Sequence, residues 1–224
     1  MQRSLPQTTA VGESTRAAIL TAAERLFAER GFDRCRLEDV AEAVGIRRAS
    51  IVYYFRDKRV LYDAVLEDVF GGFRSRLDGT LSRTGPLGER IEDAISVWID
   101  YIAERPTFAR ILLREVADGG RDDRPSVLRH IRPFVHVVER FIEKHGSDAT
   151  RPPLHVNPAH IASTIAGATV FFVVALPVLM PKATHDPLSR QNLAAHRTDV
   201  LRIARRLLGT TATREPTDTP HRVS

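Results

Sequence analysis

The chain has 224 residues, enough for one medium domain or a small domain joined to a larger one. Hydrophobic residues make up 43% and charged residues 27%, which excludes a fibrous or wholly disordered chain and supports an ordinary core. The net charge of +5 is weighted toward the first sixty residues, which fits either a phosphate-rich partner or a solvated basic face.

Residues 1–13 are polar, with Pro6 and Gly12, and read as a disordered arm with no apolar run for a secretory signal. A helix is expected from Ser14-Thr15, with Ile19, Ala23, Leu26 and Phe27 on one face and Gly31 at its end. A short second helix covers Leu37 to Val44, and Gly45 closes it. A third covers Arg48 to Tyr54, with Ile51 and Phe55 facing inward. A fourth begins near Asp57-Lys58 and buries Leu61, Val65, Leu66, Val69 and Phe70, with Gly71-Gly72 as a place to bend.

Thr84-Gly85-Pro86 then stops the chain. Further helices are expected over 87–103, 106–117, 125–144, 158–180 and 188–208, with Pro106, Pro125 and Pro158 near helix starts. The last fifteen residues, 210–224, read as a disordered tail. No stretch alternates with period two between turns. The expected fold is therefore all-α, with about nine helices: a three-helix unit at 14–60 and a larger helical domain at 61–209.

The segment from Arg36 to Arg59 has the order helix, glycine turn, helix, which is the helix-turn-helix plan. Its apolar set holds the two helices at an angle and leaves one face of the later helix for a major groove. That face carries Arg48, Ala49, Val52 and Tyr53, with Arg47 at its N-terminal end. Arginine pairs with guanine O6 and N7, Ala49 lets the backbone approach the groove, and Val52 suits a thymine methyl. Ser50, Tyr53, Tyr54 and Lys58 suit phosphate oxygens, as does Arg36 from the other side. For Tyr54 a second reading, a core aromatic with its hydroxyl satisfied, stays open.

Several pieces of this region resemble the TetR family of regulators. They are Gly31-Phe32-Asp33, Val40-Ala41-Glu42-Ala43-Val44-Gly45-Ile46, Ile51-Val52-Tyr53-Tyr54-Phe55 and Lys58-Arg59-Val60-Leu61. The resemblance covers residues 14–62. It implies DNA contacts from Arg36, Arg47, Arg48, Ala49, Ser50, Val52, Tyr53, Tyr54 and Lys58. Arg36 stands where the family usually has Thr or Ser, and Val52 where Tyr is common. The resemblance also implies a C-terminal domain that dimerises and binds a small effector, on a palindromic operator in double-stranded DNA. The expected function is that of a cytoplasmic repressor released by its effector, with an activator of the same fold as the alternative.

In the larger domain, Ile161 to Met180 is twenty residues without a charge, long enough to cross a bilayer. Its Ser163, Thr164, Gly167, Thr169 and Pro177 favour a buried interface helix over a membrane anchor. Helices near 158–180 and 188–208 are the expected homodimer interface, with Leu193, Val200, Leu201, Ala204 and Leu208 on one face of the second. Trp98, Tyr101, Phe108, Leu112, Phe134, Val138, Phe141 and Phe171 are the candidate effector-lining residues, or simply core; such a lining would suit a lipophilic ligand.

No catalytic set is visible, so an enzyme is not expected, and neither is a cofactor. The scattered histidines, with His130 and His136 six apart, give no metal spacing. Cys35 is the single cysteine, which excludes an internal disulfide and fits a reducing compartment. It lies between Arg34 and Arg36, whose charge would lower a thiol pKa; a redox switch is the minor reading, and an inert thiol the favoured one.

Overall fold

The computed structural model describes residues 7–117, 129–130, 132, 136, 139, 158–180 and 186–207. Eight helices and no strand occur among the described residues. They are α1 (Gln7–Arg34), α2 (Leu37–Val44), α3 (Arg48–Tyr54), α4 (Lys58–Leu81), α5 (Leu87–Glu104) and α6 (Pro106–Ala117). The seventh, α7, opens over Pro158–Val170, passes through a π turn at Phe171–Ala175 and closes over Leu176–Leu179; α8 covers Arg190–Leu207. Within the expected helix over 125–144, only Arg129, His130, Arg132, His136 and Glu139 are described, all with helical backbone.

The first helix corrects one expectation. It begins at Gln7, so 7–13 extend α1 and do not form an arm. Adding residues to an existing helix costs little, even when they are polar. Gly31 breaks the helix as its position predicts: its φ of 79° is left-handed, and a short turn to Arg34 follows. At Gly45 (φ 74°) the amide donates to the Ala41 and Glu42 carbonyls and closes α2.

The Gly71-Gly72 pair does not bend α4, which runs unbroken for 24 residues. The close neighbour at Gly72 is the Tyr101 hydroxyl, which would stand 3.0 Å from an added Cβ. The glycine there makes room for α5 on α4. Asp57 caps α4, its carboxylate accepting from the Val60 amide at 2.9 Å, and that bond holds its pKa below the usual carboxylate range.

One core runs through both parts. Ile19, Ala23, Leu26, Phe27, Val40, Ile51, Phe55 and Leu61 close the three-helix unit, and Phe70, Phe73, Ile99, Ile102, Phe108 and Ile111 continue it along α4, α5 and α6. α1 packs on α2, α4 and α6, and α5 packs on α4, α6, α7 and α8.

The last two helices differ from expectation in how they are covered. Only 22% of the apolar window Ala162–Leu179 is buried within the chain, and Phe171, Val178, Leu179 and Met180 are exposed. By length and composition this helix could also cross a membrane. On α8, by contrast, Val200 and Ala204 of the expected dimer face are buried inside their own chain. Arg197 with Asp100 and Arg205 with Glu92 tether α8 to α5. Leu208 lies outside the described residues.

Candidate nucleic-acid interface and its link to the larger domain

Ile51 and Phe55 are fully buried, which fixes the rotation of α3. The opposite side then faces outward: Arg47, Arg48, Ala49, Val52 and Tyr53 are exposed, Tyr53 to 83%. These are the residues the sequence places toward bases, and the structure brings them onto one surface. Arg47 occupies the N-cap of α3, and its carbonyl accepts from the Ser50 amide at 2.9 Å. Ser50 is half-buried at the edge of this surface.

Glu38, on α2, is a participant that sequence spacing did not reveal. Its carboxylate holds the Arg48 Nε at 2.7 Å, so the guanidinium is aimed before any partner arrives. Both side chains are exposed, so the pair orients Arg48 more than it stabilises the fold. Arg36 starts α2, and its amide donates to the Asp39 carboxylate at 2.8 Å, leaving its side chain outside. That bond, with Arg30 at 3.2 Å from the same carboxylate, keeps Asp39 ionised below the usual range.

Tyr54 is half-buried, its ring 5.1 Å from that of Tyr53 and its hydroxyl against α1 at Gly12. Lys58 corrects the sequence assignment in part. Its Nζ donates to the carbonyls of Phe32 (2.9 Å) and Asp33 (3.3 Å) and lies 4.3 Å over the Phe32 ring. It ties the start of α4 to the end of α1, where carbonyls lack intrahelical partners.

Cys35 follows the inert reading. It is fully buried, and burial pushes its thiol up to about 11, with the Asp39 carboxylate adding to the rise against Lys58 and Arg30. The thiolate needed for a redox switch is therefore disfavoured. Metal-type groups do not cluster in threes among the described residues.

The three-helix unit is joined to the larger domain by a polar network around Arg105, between α5 and α6. Its guanidinium grips the Glu24 carboxylate of α1 through Nε (2.7 Å) and Nη2 (2.6 Å) and reaches Asp68 of α4. The Thr107 hydroxyl donates to Glu24, and the Tyr101 hydroxyl donates to the Val69 carbonyl at 2.6 Å while accepting from Arg105 at 3.3 Å. Farther along α6, Arg114 donates to the Ala28 (3.0 Å) and Glu29 (2.7 Å) carbonyls, and buried Glu115 accepts from the Tyr62 hydroxyl. The DNA-facing helices thus hang on α4 and α6 through ionic and backbone contacts that periodicity cannot reveal.

Of the effector candidates, Trp98, Tyr101 and Phe108 come together and are buried, with Phe73 at the centre of their rings. Leu112 is half-buried beside the core. Phe171 stands outside on α7, 53% exposed. Phe134, Val138 and Phe141 lie outside the described residues.

A helix-turn-helix with an outward basic face, carried on a helical bundle, defines a DNA-binding transcriptional regulator. Residues 19–65 match the family model described as bacterial regulatory proteins, tetR family. Three solved structures show the shared fold. FadR of Bacillus subtilis, solved with stearoyl-CoA, is 17% identical with a TM-score of 0.65, over 88% of this chain and 99% of its own. AibR, solved with isovaleryl coenzyme A and operator DNA, is 17% identical with a TM-score of 0.65, over 84% and 97%. The fatty acid degradation regulator FadR of Bacillus halodurans is 15% identical with a TM-score of 0.63, over 88% and 99%.

Proposed function

We propose that this chain is a homodimeric cytoplasmic repressor that holds a palindromic operator through α3 and releases it when a lipophilic small molecule binds the larger domain. The observation that carries the DNA half is the surface formed by Arg47, Arg48, Ala49, Val52 and Tyr53 on a helix whose other side is fully buried. Arg48, aimed by Glu38, is assigned to a guanine edge; Arg36, Ser50 and Tyr54 are assigned to phosphates.

The release half is supported by the Arg105 network, because a shift of α5 and α6 would pull on Glu24 and Asp68 together. The dimer is supported by the exposed apolar side of α7, which a second copy would cover. Two recognition helices would then meet half-sites about one helical turn, roughly 34 Å, apart. That stearoyl-CoA and isovaleryl coenzyme A occupy two proteins of this fold supports a ligand with an acyl portion.

The test is fluorescence anisotropy on palindromic DNA selected from a random pool. Arg48→Ala is expected to lose about 1–3 kcal/mol of affinity and to relax the preference at one base position. Unchanged affinity overturns the base contact. Titrating the complex with stearoyl-CoA or isovaleryl coenzyme A examines release, and size-exclusion chromatography with light scattering examines the dimer.

A further inference from the structure

Trp98 is only 8% exposed, yet its indole Nε1–H is buried with no hydrogen-bond partner among the described residues. Leaving such a donor unpaired is unfavourable, and a buried tryptophan ordinarily finds an acceptor. The rings against it are Phe73 at 5.3 Å and Phe108 at 5.6 Å, both T-shaped to it, and neither carries an oxygen or nitrogen to accept the proton, so at most a weak N–H···π contact is on offer. The tyrosine of the same cluster is already committed, since the Tyr101 hydroxyl gives its proton to Val69 and receives one from Arg105.

We propose that the Trp98 indole N–H is the polar anchor of the effector site, and that the ligand is an apolar molecule presenting a neutral carbonyl oxygen to it. This rests on the ligand-released regulator proposed above. The chemistry selects the class. A carboxylate would need a compensating cation in so apolar a place. The arginines bordering the cluster are engaged, Arg105 by Glu24 and Asp68 and Arg76 by Glu104 at the surface. One neutral donor among phenylalanines matches one neutral acceptor: a ketone, ester, thioester or lactone. Phe73 and Phe108, which pack on Trp98, also pack on Tyr101, so the cluster adjoins the side chain that Arg105 contacts.

Trp98 is the single tryptophan of the chain, so the protein's own emission reports this site. The full chain is titrated with 2-octanone and with 2-methyl-1-octene, in which a methylene replaces the carbonyl oxygen. The ketone is expected to bind at least tenfold more tightly and to move the emission to longer wavelength. Trp98→Phe, followed by calorimetry after its helical content is verified, is expected to bind the two alike. Equal binding of the two probes to the native chain, no binding of either, an unmoved emission, or a preference that survives in Trp98→Phe overturns the proposal. Operator release is scored separately. Release by stearoyl-CoA without any change at Trp98 sinks this anchor and keeps the regulator. A ketone-dependent shift in a chain that no ligand releases keeps the anchor and sinks the regulator's release step.

Discussion

Replacing Arg105 with alanine removes both hydrogen bonds to Glu24, the contact with Asp68 and the donor to Tyr101 in one step. The Glu24 carboxylate, whose side chain is 10% exposed, is left with the Thr107 hydroxyl. Stripping one partner from a buried ion pair costs about 3–5 kcal/mol. Because the Arg105 side chain is 27% exposed and Asp68 more so, the lower end applies, about 3 kcal/mol. At about 2–4 °C per kcal/mol for a chain of this size, Tm should fall by about 6–12 °C. Urea denaturation followed by circular dichroism gives the free energy, and calorimetry gives Tm. Arg105→Ala combined with Glu24→Leu should recover most of the loss, because no charge is then stranded. A loss below about 1 kcal/mol for Arg105→Ala, or no recovery in the double variant, refutes the assignment of the joint.

Gly79→Ala should stabilise the chain by about 0.5–1 kcal/mol, since nothing lies within 4 Å of the added methyl, whereas Gly72→Ala should gain nothing because the Tyr101 hydroxyl is in the way; urea midpoints compare them. Cys35 keeps its proton in the folded chain to about pH 11, while the unfolded thiol loses it near pH 9. Its contribution is thus intact below pH 9 and is lost between pH 9 and 11, on the order of 2–3 kcal/mol, and Cys35→Ala should lack that part of the slope in pH-dependent denaturation. Lys58→Met should lower stability by about 1–2 kcal/mol through the lost carbonyl bonds and leave the salt dependence of operator binding unchanged; a slope smaller by about one would return Lys58 to the phosphates.

The three-helix unit was legible because its packing is local. Ile51 and Phe55 are four apart, Gly31 and Gly45 sit where the backbone turns left-handed, and each fact is written within a dozen residues. The same logic placed Arg47, Arg48, Val52 and Tyr53 on the outer side of α3. It failed where the deciding partner is distant. For Lys58 the sequence did not reveal the carbonyls of Phe32 and Asp33, some 25 residues away, to which its Nζ donates. At Cys35 the flanking arginines pull the thiol one way, and the burial that outweighs them comes from the fold. Arg105 and Glu24 are 81 residues apart, and no periodicity joins them. Helix propensity misled at 7–13 and at Gly71-Gly72, where neighbouring helical residues outweighed local preference.

The π turn in α7 has a geometric consequence for whatever meets that helix. Phe171 and Val178 are seven residues apart and would lie nearly in line on an ordinary helix, at about 100° per residue. A π turn accommodates one residue more than an α turn, so everything after Ala175 is rotated by about a quarter of a circle. The exposed apolar side chains therefore form two sectors, Phe171 on one and Val178 on the other, and no single straight rod can lie along both. Deleting one residue between Phe171 and Ala175 would realign the sectors and change which surface the second half of α7 offers.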